Sequence, residues 1–273
     1  MRLNFTRKIE AVYLKKWLFL FISFSLINSS LWSQALVNGN LNTGGISSNG
    51  VAAPAGFTWS EVQNGNESAG FSANVDNEFS ISDDFIIPEG EVWNLTNINF
   101  FAYSTNYTGT SSPFNTVRLQ IFSTDPSTGS PVPIFGDLIS NRFISSASAG
   151  MYRIFNAAAT PGNQRKIWNI TASAGTTLAS GHYWIEWQLG TIAVGASNFA
   201  PSSTVVGTVT QEGNNAMQHT LSNNTWAPVL DGTNPQDMPF TVNYTISCTN
   251  PTVPGVGATP LVICVGQSST LSV

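Results

Sequence analysis

Apolar residues recur at every second position in short runs along this chain, and no segment after residue 36 sustains the period of an amphipathic helix. In "TNINFFAY", Ile98, Phe100 and Ala102 fall on one side, with Asn97, Asn99, Phe101 and Tyr103 on the other. In "TVRLQIF", Val117, Leu119 and Ile121 alternate with Arg118 and Gln120. Such alternation places one side of a strand in a core. It predicts further strands over 151–155, 166–172, 183–189, 203–210 and 239–246. Clusters of Gly, Pro, Asp and Ser separate the runs. "IPEG", with Pro88 and Gly90, predicts a hairpin between "DDFII" and "EVWNLT", and "TDPSTGSP" predicts a turn after Ile121. The expected fold is all-β: a two-sheet antiparallel sandwich, jelly-roll-like.

The first residues follow a different pattern. Arg2, Arg7, Lys8, Lys15 and Lys16 precede the apolar run "WLFLFISFSLI", and the small and polar "NSSLWSQA" follows it. A basic flank, an apolar stretch too short to span a bilayer and a small-residue exit predict a secretory signal peptide over 1–35. Its removal would leave Arg118, Arg142, Arg153, Arg165 and Lys166 against fourteen acids, a net charge of −9. That balance argues against nucleic acid and against anionic lipid, and no membrane insertion is expected once the signal is cleaved. It suits a protein exported to the medium or the cell surface.

Residues 36–247 are expected to form the sandwich domain. From Cys248 the texture changes: "CTNPTVPGVGATP" predicts a Pro/Gly-rich linker over 248–260. The remaining residues, 261–273, hold too few strands to close a core, so an incomplete domain is expected there. Cys248 and Cys264 are the only cysteines, and their pairing is left open.

"NPTVP" followed by "CVGQSSTLSV" resembles the opening of immunoglobulin-like repeats in large, modular, secreted bacterial surface proteins, many of them exported by type IX secretion. In antibody-type domains the cysteine follows the Gly-x-Ser-x-x-Leu element, whereas Cys264 precedes it, so no bridge between sheets is implied. The segments "DDFIIPEGEVWNLTNINFFAY", "TVRLQIFSTDPSTGSPV", "YRIF", "RKIWNI", "TTLASGHYWIEWQ" and "MPFTVNYTI" resemble the N-terminal β-sandwich module of such adhesin-like proteins. The resemblance implies an Ig-like segment at the C-terminus, a bacterial modular origin and a non-catalytic role in adhesion.

Two stretches carry candidate chemistry. Asp83 and Asp84 are adjacent, so on a strand their carboxylates point to opposite faces. A catalytic pair needs two carboxyl groups converging at about 5–10 Å, so no catalytic residue is assigned. With Asp76, Asn77 and Glu78 nearby, Asp83 and Asp84 are a candidate for calcium, though the ligand spacing of a helix–loop–helix site is missing. The alternative expectation is that one carboxylate ties down a loop while the other is solvated at the strand entrance. In "GHYWIEWQLG", Tyr183, Ile185, Trp187 and Leu189 make a core face. His182, Trp184, Glu186 and Gln188 make the other, combining a ring with hydrogen-bonding groups as a carbohydrate-binding sheet does. The competing expectation buries Trp184 under a loop and pairs Glu186 with one of the five Lys and Arg residues beyond the leader.

No HExxH, CxxC or Gly-x-Ser-x-Gly motif and no cofactor-binding motif is present. The expected function is therefore a non-catalytic secreted or cell-surface module for adhesion or for binding an extracellular glycan or surface polymer. The alternative is an accessory or catalytic jelly-roll domain of a secreted carbohydrate-active or proteolytic enzyme. A second acid facing Glu186 across the sheet would favour the alternative.

Overall fold

The computed structural model describes residues 33–193, 195–210 and 213–247, and the backbone of 257–259 and 270–272. The apolar run of the expected leader, both cysteines and most of the expected linker lie outside the described residues. The strands, in chain order, are β1 (Gln34–Asn38), β2 (Thr58–Glu61), β3 (Phe79–Ser104), β4 (Phe114–Phe122), β5 (Phe135–Asp137), β6 (Phe143–Ile154), β7 (Lys166–Thr191) and β8 (Asn198–Phe199). They continue with β9 (Met217–Thr220), β10 (Thr225–Pro228), β11 (Leu230–Asp231), β12 (Asn234–Pro235), β13 (Phe240–Ile246), β14 (Gly257–Thr259) and β15 (Thr270–Ser272). β14 and β15 pair only with each other.

Strands β3 and β7, each 26 residues long, pair antiparallel over almost their whole length, from Ile81↔Trp187 to Ala102↔Trp168. Their first and second halves have different neighbours. The early half of β3 takes β9, and β10 beyond it, while the late half of β7 takes β4 and β5. The late half of β3 takes β13 and then β1, while the early half of β7 takes β6, which pairs in parallel with β2. One hydrogen-bonded ladder thus runs through two sheets, which pack face to face as a sandwich.

The bend lies at "IPEG". The β3–β7 register shifts between Ile87 and Val92, and Gly90 has φ +83°. Phe85 pairs with Tyr183 and Trp93 with Leu178, so both flanks of the segment stay on the same neighbour. This corrects the hairpin expectation: Pro88 and Gly90 turn the strand from one sheet into the other without reversing it. For the same reason 166–172 and 183–189 are parts of one strand. The stretch 203–210 forms no strand beyond an isolated Val205↔Thr208 bridge. "TDPSTGSP" does turn the chain, closing the β4–β5 hairpin. There Gly136 has φ +78°, and a Cβ would sit 2.3 Å from the Leu119 carbonyl oxygen, so only glycine lets β5 pair this closely.

Alternation decides what is inside. Ile98, Phe100, Ala102, Val117, Leu119, Ile121, Ile185 and Trp187 are all buried. Phe100 from one sheet stacks on Trp187 from the other at 4.9 Å, and Phe240 meets both Trp187 and Phe85 edge-on. These offset and edge-to-face contacts are the arrangements aromatic quadrupoles favour.

Candidate functional site: a cleft over Glu186

On the face turned away from the core, the register sets Gln120 of β4 beside Glu186 of β7, Ser82 of β3 on its other side, and His219 of β9 beside Ser80. Glu186 is completely buried. Its carboxylate accepts from the Ser80 hydroxyl, from Gln120 Nε2 at 2.6 Å and from His219 Nδ1 at 2.8 Å. A carboxylate with three donors can stay buried because its lone pairs are occupied.

His219 is held from three directions. Nδ1 donates to Glu186, Nε2 lies 2.9 Å from Asn224 Oδ1, and the Trp226 ring stacks on the imidazole at 4.1 Å with a 13° interplanar angle. The β9–β10 hairpin makes this arrangement, turning through Asn224 with φ +54° and setting Trp226 opposite His219. Asparagine tolerates this left-handed conformation better than most residues. Above these groups lies a cleft of about 400 Å³, floored by Gln120, Glu186 and His219 and walled by Trp226, Phe122 and the proline-rich β4–β5 loop.

Of the four residues expected to bind a ligand, only Glu186 lines this cleft. Trp184 is 5% exposed and Gln188 2%, so neither forms an exposed platform. Gln188 Nε2 donates instead to the Phe79 carbonyl at 3.1 Å. His182 is half-exposed and contacts the Asp84 carboxylate. Glu186 pairs with His219 and not with any of the five Lys and Arg residues expected as its partner. The ring of the site is Trp226, not Trp184. The signal for it was present: "MQHTLSNNTWAP" sets two short runs around Asn-Asn, a turn dipeptide that admits positive φ.

Asp83 and Asp84 diverge. Asp83 points into the sandwich and accepts from the Met238 backbone N–H at 2.6 Å, the Asp84 N–H at 2.8 Å and Asn38 Nδ2 at 3.3 Å, tying the segment before β13 and the end of β1 to β3. Burial first, and the neighbouring Asp237 carboxylate second, push the Asp83 carboxyl well above the ordinary carboxylate range. Burial likewise raises Asp237. The Asp237 carboxyl, in the segment before β13, thus adds to burial in disfavouring ionisation of Asp83. Among the described residues, no group of three or more His, Cys, Asp or Glu side chains is arranged to hold a metal ion, and the Asp83 carboxyl oxygens accept from backbone and amide N–H groups.

No helix of the described residues is long and apolar enough to cross a membrane. The chain matches no protein-family model, and no curated protein matches it by sequence.

Proposed function

We propose that this protein is a non-catalytic, exported or cell-surface module that binds a glycan or related polymer in the cleft over Glu186. One observation carries this reading: a single cleft joins an indole ring to hydrogen-bonding groups held rigid by one another. Trp226 offers an apolar face to a sugar ring, while Gln120 and Asn224, each held through one side-chain atom by Glu186 or His219, offer the other to hydroxyls. Mutual hydrogen bonding fixes these groups before a ligand arrives, which lowers the ordering cost of binding. The resemblance to adhesin-like modules and the acidic composition favour the same class and an extracellular setting.

The enzymatic alternative draws less support. Among the described residues, Glu186 is the one acid lining the cleft, where glycoside hydrolysis by the usual route uses two. Ser80 donates to Glu186 and not to His219, so serine, histidine and acid do not stand in the order that activates a nucleophile.

A glycan array followed by calorimetry on the wild type and Trp226→Ala tests the proposal. Trp226 is partly exposed, so the variant is expected to keep its fold and lose most of its binding. A wild type that binds no neutral glycan or surface polymer, or a variant that binds such a neutral ligand as well as the wild type, would refute it.

A further inference from the structure

A second cleft lies in the other sheet, where β6 pairs with the start of β7. Its volume is about 220 Å³, and Tyr107, Tyr152, Asn163 and Lys166 line it together with the 108–110 turn. This is below the roughly 300–1,000 Å³ of drug-sized ligand sites, so it suits a group the size of one sugar ring.

The charges around it are unusual for so acidic a chain. Three of the five Lys and Arg residues beyond the leader lie at neighbouring positions of β6 and at or just before the start of β7, Lys166 alone lining the cleft: Tyr152 pairs with Lys166, and the Arg153 N–H donates to the Arg165 carbonyl at 2.9 Å. Among the described residues, only Arg142 of all lysines and arginines forms an ion pair, with Asp137. The three clustered cations rest on neutral groups. Arg153 is buried and donates to the Ala69 carbonyl and to the Ser60 and Ser202 hydroxyls. Arg165 lies over the Phe155 ring at 4.6 Å. The Lys166 ammonium sits 4.4 Å from the Trp168 ring and 5.6 Å from Phe57. Burial lowers Arg153 only to about 10, so it remains charged at neutral pH.

The walls are built rather than incidental. Tyr107 is anchored by its hydroxyl to the Ser111 carbonyl at 2.9 Å. Gly109 gives the ring room, since a Cβ there would come within 2.2 Å of the Tyr107 hydroxyl oxygen. Tyr152 is packed on Phe57 at 4.6 Å. Lys166 is thus a cation positioned by aromatic faces, with no carboxylate partner, at the edge of a tyrosine-lined cleft.

We propose that this cleft binds the carboxylate-bearing ring of an acidic glycan, the Lys166 ammonium taking the carboxylate and Tyr107 and Tyr152 flanking the sugar. Asn163 supplies an amide for ring hydroxyls. The site is distinct from the cleft over Glu186 and does not depend on it.

Calorimetry with trigalacturonic acid and its neutral methyl ester tests the assignment, on the wild type, Lys166→Gln and Trp226→Ala. Loss of a charge-assisted contact is expected to weaken binding by roughly tenfold or more, both for the ester on wild-type protein and for the acid on Lys166→Gln. Raising the salt concentration should weaken the acid and leave the ester unchanged. Trp226→Ala should bind the acid as the wild type does, which separates this site from the first. Equal affinity for acid and ester, or no measurable binding of the acid, would overturn the proposal without any variant. Wild-type affinity in Lys166→Gln, or a sulfated trisaccharide bound more tightly than the uronate, would also overturn it.

Discussion

Replacing Asp237 by asparagine should change how stability depends on pH, and the direction follows from the acid pair. In the folded protein Asp83 holds its proton above the ordinary carboxylate value of 3.8, because it is buried and faces Asp237. In the unfolded chain both acids ionise normally. Below that value both states are protonated, and the contribution of the pair is fully present. As pH rises, the unfolded chain releases a proton that the folded state retains, so stability falls. The slope approaches about 1.4 kcal/mol per pH unit for each proton retained, and the loss ends once the folded pair ionises. An asparagine at 237 can donate an amide hydrogen to Asp83 and carries no charge. Asp83 would then ionise at a lower pH than in the wild type, burial still opposing it and donors from Met238, Asp84 and Asn38 already in place. Urea unfolding of both proteins between pH 4 and 8 gives the comparison. The variant is expected to gain stability relative to the wild type as pH rises, by about 1 kcal/mol or more across the window. Asp137, held low by the Ser140 and Ile139 backbone N–H groups, contributes with the opposite sign but equally in both proteins. A difference between the two proteins that does not vary with pH would refute the coupling of the two acids.

Three further outcomes are expected. Trp184→Ala should cost about 3–5 kcal/mol in chemical denaturation, as for a buried aromatic, while leaving glycan binding by the surviving folded fraction intact. Glu186→Ala strips the acceptor from Ser80, Gln120 and His219, and at about 1–3 kcal/mol for each buried donor left unpaired it should lower the melting temperature more than Trp226→Ala does. Gly136→Ala places a side chain at φ +78° and against the Leu119 carbonyl, and should destabilise the β4–β5 hairpin by about 1–3 kcal/mol in thermal melts.

The faces of individual strands were legible because alternation is a local property: Ile98, Phe100 and Ala102, or Tyr183, Ile185, Trp187 and Leu189, sort inward whatever their neighbours. What covers the opposite face is not local. Trp184, Glu186 and Gln188 fall on the outward face as expected, yet they are buried, because β9, β10 and the proline-rich loop come from distant parts of the chain. The same limit misplaced the ring of the site, since Trp226 reaches Glu186 through His219 only when β9 pairs with β3. "IPEG" misled for a different reason. Proline and glycine announce a change of direction, but the partner strand decides whether the chain reverses or merely bends. Here β7 bends with it, so both halves stay paired.

The pairing of β1 with β13 bears on how this domain would carry tension. The two strands are antiparallel with Gln34 opposite Tyr244, so the chain enters and leaves the sandwich side by side. Pulled apart at those two points, the ladder opens one hydrogen bond after another, a peeling geometry that yields at low force. A load entering through an occupied cleft and leaving through Ser247 takes a different route. It passes from β9 into β3 and meets β13 at the Trp93↔Ile246 end of their antiparallel ladder, so that ladder too is loaded from one end, and β1 is bypassed. Tension between the two ends of the domain would free β1 first, whereas tension between an occupied cleft and Ser247 would strip β13 from β3 and carry β1 with it.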